Sequence, residues 1–412
     1  MSAGRKVRYR ARWILPIVAP PVRDGWVDVF GDAVHAVGGA AAVHPADPLA
    51  EEIDLGEVAL LPGLVNAHTH LELSGLDDAS PPADSMPAWA RALVQRVDAD
   101  GGLPAEAIPD AVAQLHACGT VLVGDIGNTQ AALPGLASGR VDAVLFQECL
   151  GFEVGPEEAE ARAGRLADEI AGRAAGAGGD RLILRGAAHA PYSVSPALFR
   201  ALVARLPGPR TVHLAESREE IDFLRDGHGP WREFLQWRGR WNASWEPPGT
   251  GPVDYLEMLG WLRDDTLVVH GVQLRPDDLK RLAAAGTTLV TCPRSNRWTG
   301  AGEPPVADFY ASGVRVAVGT DSLASAPDLN LFSELAALHR LAPAVPASRL
   351  LRSATLHGAA ALGRGETLGA IAPGRRAALV AVALPGSLDD VEQYLVGGIE
   401  PEQIAWVEAH RC

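Results

Sequence analysis

Four histidines and two acids stand out because each closes or follows a short apolar run. His68 and His70 end Leu-Leu-Pro-Gly-Leu-Val-Asn-Ala-His-Thr-His (60–70) and His213 lies in Thr-Val-His-Leu-Ala-Glu (211–216). His270 ends Leu-Val-Val-His (267–270), and Asp321 follows Val-Ala-Val-Gly-Thr (316–320). In a strand, side chains i and i+2 share a face, so both imidazoles of His68 and His70 aim at one point. Three histidine nitrogens from among these four and a carboxylate oxygen suit one divalent ion with a position left for water. Glu216, three residues past His213, can reach such a water and a substrate together, as a proton shuttle must. His270 and Asp321 can take and orient the proton of the water. A structural histidine explains any one of these positions, but it does not explain their shared placement at strand ends. His35, His44, His116, His228, His339, His357 and His410 fall in loops, helices or terminal regions and are set aside.

What must position them is legible in the pattern of the chain. Between about 61 and 345, apolar or β-branched runs at 63–68, 120–125, 141–147, 181–188, 210–215, 266–270, 287–291 and 315–320 alternate with helical stretches such as 157–174, 195–206, 275–285 and 329–341. Eight strand-then-helix units predict a (β/α)8 TIM-like barrel, whose active sites lie at the C-terminal strand ends. No Gly-x-Gly-x-x-Gly follows the first strand, which disfavours a doubly wound sheet. Strand-like runs before 61 (7–17, 25–30, 33–37, 58–60) and at 377–384 predict a small β-sandwich domain built from both chain ends. The expected division is 1–60 and 365–412 for that domain and 61–364 for the barrel. A Trp-rich stretch at 228–262 interrupts the pattern after the fifth strand and is expected to pack on the barrel rim, with a lid as the alternative.

Composition excludes several partners. A net charge of -15 argues against nucleic acid and against an anionic membrane surface. No apolar run approaches bilayer length, and the N-terminal apolar stretch is short and broken by prolines, a strand rather than a signal peptide. Cys118, Cys149, Cys292 and Cys412 form no Cys-x-x-Cys pair, so a reducing cytoplasm is the expected location. Lys6 and Lys280 are the only lysines, and neither ends a barrel strand, so no carbamylated lysine is placed to bridge two ions. One metal is expected, with Zn²⁺ ahead of Fe²⁺. The sequence does not choose an oligomeric state, and a homodimer is compatible with it.

The chain resembles the amidohydrolase superfamily, in its mononuclear branch of cytosine-, guanine- and adenosine-type deaminases. The likeness rests on Pro-Gly-Leu-Val-Asn-Ala-His-Thr-His (62–70), His-Ala-Pro-Tyr (189–192), His-Leu-Ala-Glu (213–216), Cys-Pro-Arg-Ser-Asn (292–296) and Gly-Thr-Asp-Ser-Leu-Ala-Ser (319–325). It implies that His68, His70, His213 and Asp321 ligate zinc, that His270 orients the attacking water, and that Glu216 shuttles protons. The implied reaction is hydrolytic deamination of an aminopurine. The wording at 68–74, 292–296 and 321–325 is similar to aminodeoxyfutalosine deaminases, which act on a carboxylated adenine nucleoside in a route to menaquinone. Ser322 departs from deaminases of methylthioadenosine or S-adenosylhomocysteine, which commonly carry Gly there.

Four residues are candidates for substrate binding: Glu72 for sugar hydroxyls or as a loop anchor, His189 for the nucleoside or a carbonyl, Ser322, and Arg294. An Arg at a cleft rim can grip a carboxylate bidentately; a surface Arg without a ligand is the plain alternative. Rival activities on the same metal site are deamination of S-adenosylhomocysteine, methylthioadenosine or guanine, and triazine dechlorination. A non-catalytic scaffold would have lost ligands that are all present here.

Overall fold

The computed structural model describes residues 6–39, 51–76, 82–174 and 181–407. Eight parallel strands form a barrel, numbered in chain order: β1 (Leu64–Thr69), β2 (Thr120–Gly127), β3 (Asp142–Cys149), β4 (Leu182–Ala188), β5 (Arg210–Leu214), β6 (Thr266–His270), β7 (Thr288–Thr291) and β8 (Arg315–Val318). They lie side by side in that order, and each of the eight expected runs falls on one of them. Every residue of β1, β5, β6 and β7 is buried. That is why they read as apolar runs without alternation: a parallel strand in a barrel is covered on both faces.

Side-chain and backbone bonds draw the last strand to the first. The Asp321 backbone N–H donates to the His68 carbonyl at 3.1 Å. Asn66 Nδ2 donates to Thr320 Oγ1 at 2.7 Å, and the Thr320 N–H donates back to Asn66 Oδ1 at 3.2 Å. Gly319 permits this approach, since a Cβ there would lie 2.6 Å from the His68 carbonyl oxygen. The outer helices include Pro156–Ala174, Pro196–Arg205, Pro276–Ala284 and Leu331–Leu341, close to the expected bounds. Ser195 and Asn330 cap two of them by accepting from the Leu198 and Phe332 N–H groups, which satisfies donors the helix leaves free. Leu198, Phe199, Leu202, Leu279, Leu282, Phe332 and Leu335 fill the layer between strands and helices.

Both chain ends build a second, seven-stranded sheet. It runs Ile404–Val407, Leu379–Ala383, Val58–Pro62, Lys6–Ile14, Val22–Phe30, Ala33–Gly38, with Glu51–Asp54 also paired to Lys6–Ile14. Arg8 holds the fully buried Asp28 through two bonds of 2.6 and 2.9 Å. Trp406 ties this sheet to the barrel by donating to the His116 carbonyl at 2.7 Å and stacking on that ring.

The stretch 228–262 forms helices Pro230–Trp237 and Pro252–Met258. Trp261 packs against Phe199, and Trp245 stacks on Phe223 with centroids 4.8 Å apart. Trp231 stacks on Tyr192 at 3.8 Å and, with Phe234 and Leu235, walls the cavity above the barrel. This insertion therefore packs on the rim and also shapes the site. His44, His410 and Cys412 lie outside the described residues.

Candidate active site

The strand ends bring the expected cluster together. His68 Nε2 and His70 Nε2 lie 3.8 and 3.7 Å from Asp321 Oδ1. The His213 ring centre is 5.1 Å from that of His68 and 5.3 Å from that of His270. Nitrogens of His68, His213 and His270 fall within 4.8 Å of one another, as do those of His68 and His70 with an Asp321 oxygen. Burial pushes the His68 and His213 pKa values well below 6.5, so both imidazoles are neutral and have a lone pair to offer. Burial works against the charge on Asp321, but His70, His68 and His270 outweigh it and hold the carboxyl below its ordinary range. Both ring nitrogens of His68 are buried without a hydrogen-bond partner among the described residues. An orphaned buried polar atom is costly. A cation at the centre of this neutral nitrogen and carboxylate set is the partner that fits it.

His213, His270 and Asp321 are each aimed by a residue behind them. His213 Nδ1 donates to the His189 carbonyl at 2.8 Å, and His270 Nδ1 to Asn296 Oδ1 at 2.8 Å, which leaves both Nε2 atoms for the site. Ser295 Oγ donates to Asp321 Oδ2 at 2.6 Å, and Thr69 Oγ1 to the Asp321 carbonyl at 2.7 Å. Such supporting bonds fix ligand orientation and tautomer. The backbone is strained where it delivers these groups: Ala215, His270 and Asp321 have φ of 52, 74 and 60°. Left-handed non-glycine residues persist only where the surroundings over-determine them, and they cluster at functional sites.

Glu216 leaves β5 through that strained turn. Its Oε1 lies 3.7 Å from His270 Nε2, and its Oε2 is buried without a partner among the described residues. Burial and the nearby Asp321 push its pKa well above 4.5. The clamp on the turn is Glu220, whose carboxylate accepts the Ala215 and Glu216 N–H groups at 2.9 and 3.1 Å. From sequence Glu220 reads as a first-turn glutamate favoured by the helix dipole. Its fully buried carboxylate instead holds Glu216 in place.

The four substrate-binding candidates separate. His189 lines the cavity, with Nδ1 2.5 Å from Ser193 Oγ, and burial lowers its pKa to about 4. Glu72 also lines it, yet its carboxylate accepts four bonds from the loop after β2: Asn128 N–H, Thr129 N–H and Oγ1, and Ala131 N–H. The other two candidates are not among the residues that line the cavity. Arg294 does not face the cavity: it donates to Glu334 at 2.6 Å and to both Asp328 carboxylate oxygens at 2.8 Å. Ser322 does not reach the cavity either, and its buried Oγ lies 3.2 Å from Ser325 Oγ. Within Cys-Pro-Arg-Ser-Asn, the next two residues touch the site, because the helix Pro293–Trp298 begins there and turns each side chain a different way. Arg294→Met is therefore expected to leave substrate KM unchanged. It should cost about 3–5 kcal/mol of stability by stranding the fully buried Glu334, which thermal denaturation alongside steady-state kinetics would check.

The cavity over this cluster has a volume of about 450 Å³. It suits a drug-sized ligand. Sequence reasoning missed Glu148 at the end of β3, and Arg162, Arg238 and Arg240 at the outer wall. None sits in a motif. Two of the arginines belong to the insertion, whose aromatic content drew attention away from its charges.

Comparison with known proteins places this geometry. The model of the Amidohydrolase family matches residues 59–404. The aminodeoxyfutalosine deaminase of Deinococcus radiodurans is 34% identical over 367 residues, 83% of this chain and 84% of its own. A 5-methylthioadenosine/S-adenosylhomocysteine deaminase of Nitratidesulfovibrio vulgaris is 32% identical, covering 88% of this chain and 80% of that protein. Among solved structures, an adenosine deaminase of Xanthomonas campestris with bound zinc superposes with a TM-score of 0.79 at 26% identity, over 98% of this chain and 91% of that one. Helicobacter pylori aminofutalosine deaminase shares the fold, with a TM-score of 0.81 at 24% identity over 97% and 99% of the two chains.

Proposed function

This chain belongs to the amidohydrolase family, and on that premise we propose that it is a zinc-dependent hydrolytic deaminase of a 6-aminopurine nucleoside, with 6-amino-6-deoxyfutalosine as substrate. The observation that carries the reading is the convergence of His68, His70, His213, His270, Asp321 and Glu216 on one cavity. His68, His70, His213 and Asp321 would hold the ion. Zinc is favoured over Fe²⁺ because the Xanthomonas relative carries it. When bound, the ion supplies Lewis-acid activation of water.

The protein groups supply the proton movements. Asp321 and the Nε2 of His270 receive and orient the proton of the attacking water as its oxygen approaches C6. Glu216 gives its proton to purine N1 as C6 becomes tetrahedral, takes one back from the new C6 hydroxyl and passes it to the departing amine. The proton held by Asp321 and His270 then returns to Glu216. Burial and the nearby Asp321 raise its pKa, which favours the protonated form that donates. Ammonia and the 6-oxopurine nucleoside are the products.

Relatives named for 5-methylthioadenosine and S-adenosylhomocysteine support a second reading on the same site. The carboxylated substrate is favoured by Arg162, Arg238 and Arg240 on the outer wall. Arg238 and Arg240 are each tethered to one acid, Asp98 and Glu153, and retain further N–H groups for an anion. Arg240→Ala is expected to raise KM for aminodeoxyfutalosine about tenfold and to leave methylthioadenosine unaffected, in line with the loss of a partly exposed charge-assisted bond. Assay of a panel of 6-aminopurine nucleosides, by the ultraviolet shift on deamination together with metal analysis, tests the whole reading. No turnover of any member by metal-loaded protein would overturn it.

A further inference from the structure

Glu148 closes β3 inside the cavity, and the proton movements above make no use of it. Asn128 Nδ2 donates to its Oε2 at 3.0 Å, while Oε1 is buried and has no hydrogen-bond partner among the described residues. His213 Nδ1, at 3.8 Å, cannot serve, because its proton goes to the His189 carbonyl. A buried carboxylate oxygen with an open lone pair wants a donor, and at a cavity wall a ligand N–H or O–H can supply it.

The shape of the cavity says which part of a nucleoside that is. The reacting end lies against Glu216, His270 and Asp321, from β5, β6 and β8. Most of the lining comes from the opposite side, from segments after β1, β2, β3 and β4 and from the insertion. Glu148 and His189 stand beside His213, on the side that contributes most of the cavity lining. With C6 of a purine over Glu216, the group that follows the base in that direction is the furanose. The donors it offers are its hydroxyls. Glu72, the acceptor favoured from sequence, is already engaged by the loop after β2, which places three bonds on its Oε1 and one on its Oε2.

We propose that Glu148 Oε1 accepts a ribose hydroxyl and thereby selects ribonucleosides over their deoxy counterparts. This rests on the nucleoside reading above and specifies its sugar. The test compares adenosine, 2′-deoxyadenosine and 3′-deoxyadenosine with wild type, Glu148→Leu and Glu148→Ala. Any of the three that is not turned over is measured by competition against the best substrate. Glu148→Leu keeps the volume and removes a buried charge, so it guards against loss of the fold. Metal content and melting curves report an intact protein in each case.

In wild type, loss of one of the two hydroxyls is expected to lower kcat/KM or affinity about tenfold to a hundredfold, the scale of a hydrogen bond to a charged group. In either variant that ratio should fall toward one. Equal handling of ribo and deoxy nucleosides by wild type overturns the assignment and leaves the deaminase reading standing. So does a preference that survives undiminished in a folded, metal-loaded variant. If wild type neither deaminates nor binds any of the aminopurine nucleosides, the deaminase reading itself falls.

Discussion

Glu216→Gln should give a folded, metal-loaded protein whose kcat is down by about 10³-fold. The substitution keeps size and shape, so the buried position between His270 and Asp321 remains filled. What it removes is a titratable proton. Glu216 Oε2 has no partner among the described residues, and Glu220 fixes the backbone on which it sits. The group is therefore positioned without being committed to any internal bond, as a proton shuttle requires. General acid–base groups contribute about 10²–10⁴-fold, and one that serves twice in a cycle belongs toward the upper part of that range. Metal content measured beside single-turnover kinetics separates the possibilities. A variant that retains kcat within tenfold of wild type would remove Glu216 from the chemistry.

Asp321→Asn should lose the metal as well as the activity. Asparagine tolerates the left-handed backbone that Asp321 adopts, with φ of 60°, so the loop keeps its course and the effect reads on the ion. The carboxylate is the sole anionic member of the proposed ligand set, 3.8 and 3.7 Å from His68 and His70. Replacing it with a neutral amide weakens cation binding by more than loss of a supporting residue would. Ser295→Ala, which removes the bond to Asp321 Oδ2 together with one to Ser325 Oγ, provides the scale at about 10–100-fold in metal affinity or activity. Asp321→Asn is expected to exceed it, and excess zinc should restore Ser295→Ala more fully than Asp321→Asn. Metal analysis after dialysis and activity titrated against added zinc check both. Full metal occupancy in Asp321→Asn would contradict the ligand assignment.

The barrel was legible because parallel strands buried on both faces leave short, uninterrupted apolar runs, and because helices of ordinary period separate them. The metal cluster followed, since the C-terminal end of a strand is a position that can be counted along the chain. Two four-residue strands of the terminal sheet, Glu51–Asp54 and Ile404–Val407, were not legible. One carries three acids, and the other follows a single turn of helix, so neither shows a run long enough to register.

Inside the site, the limit was direction. Arg294, Ser295 and Asn296 are consecutive, and sequence alone favours the charged one. On a helical turn the three point different ways: Arg294 meets Asp328 and Glu334, while Ser295 and Asn296 reach back to Asp321 and His270. Glu148 was invisible for the opposite reason. It sits inside Leu-Phe-Gln-Glu-Cys-Leu, residues 145–150, which reads as an ordinary buried strand, and its open oxygen is apparent only once its neighbours are placed.

The join between β8 and β1 has a consequence for how the molecule lives and dies. His68 and His70 come from the opening strand of the barrel and Asp321 from just past its closing one, and a few bonds around Asn66 and Thr320 hold that join. A cation gripping all three would act as a clasp between parts of the chain some 250 residues apart (sequence positions 68 and 321). Stripping it should loosen the whole ring as well as silence it. The enzyme's lifetime in a metal-poor medium would then be set by the same few atoms that set its turnover.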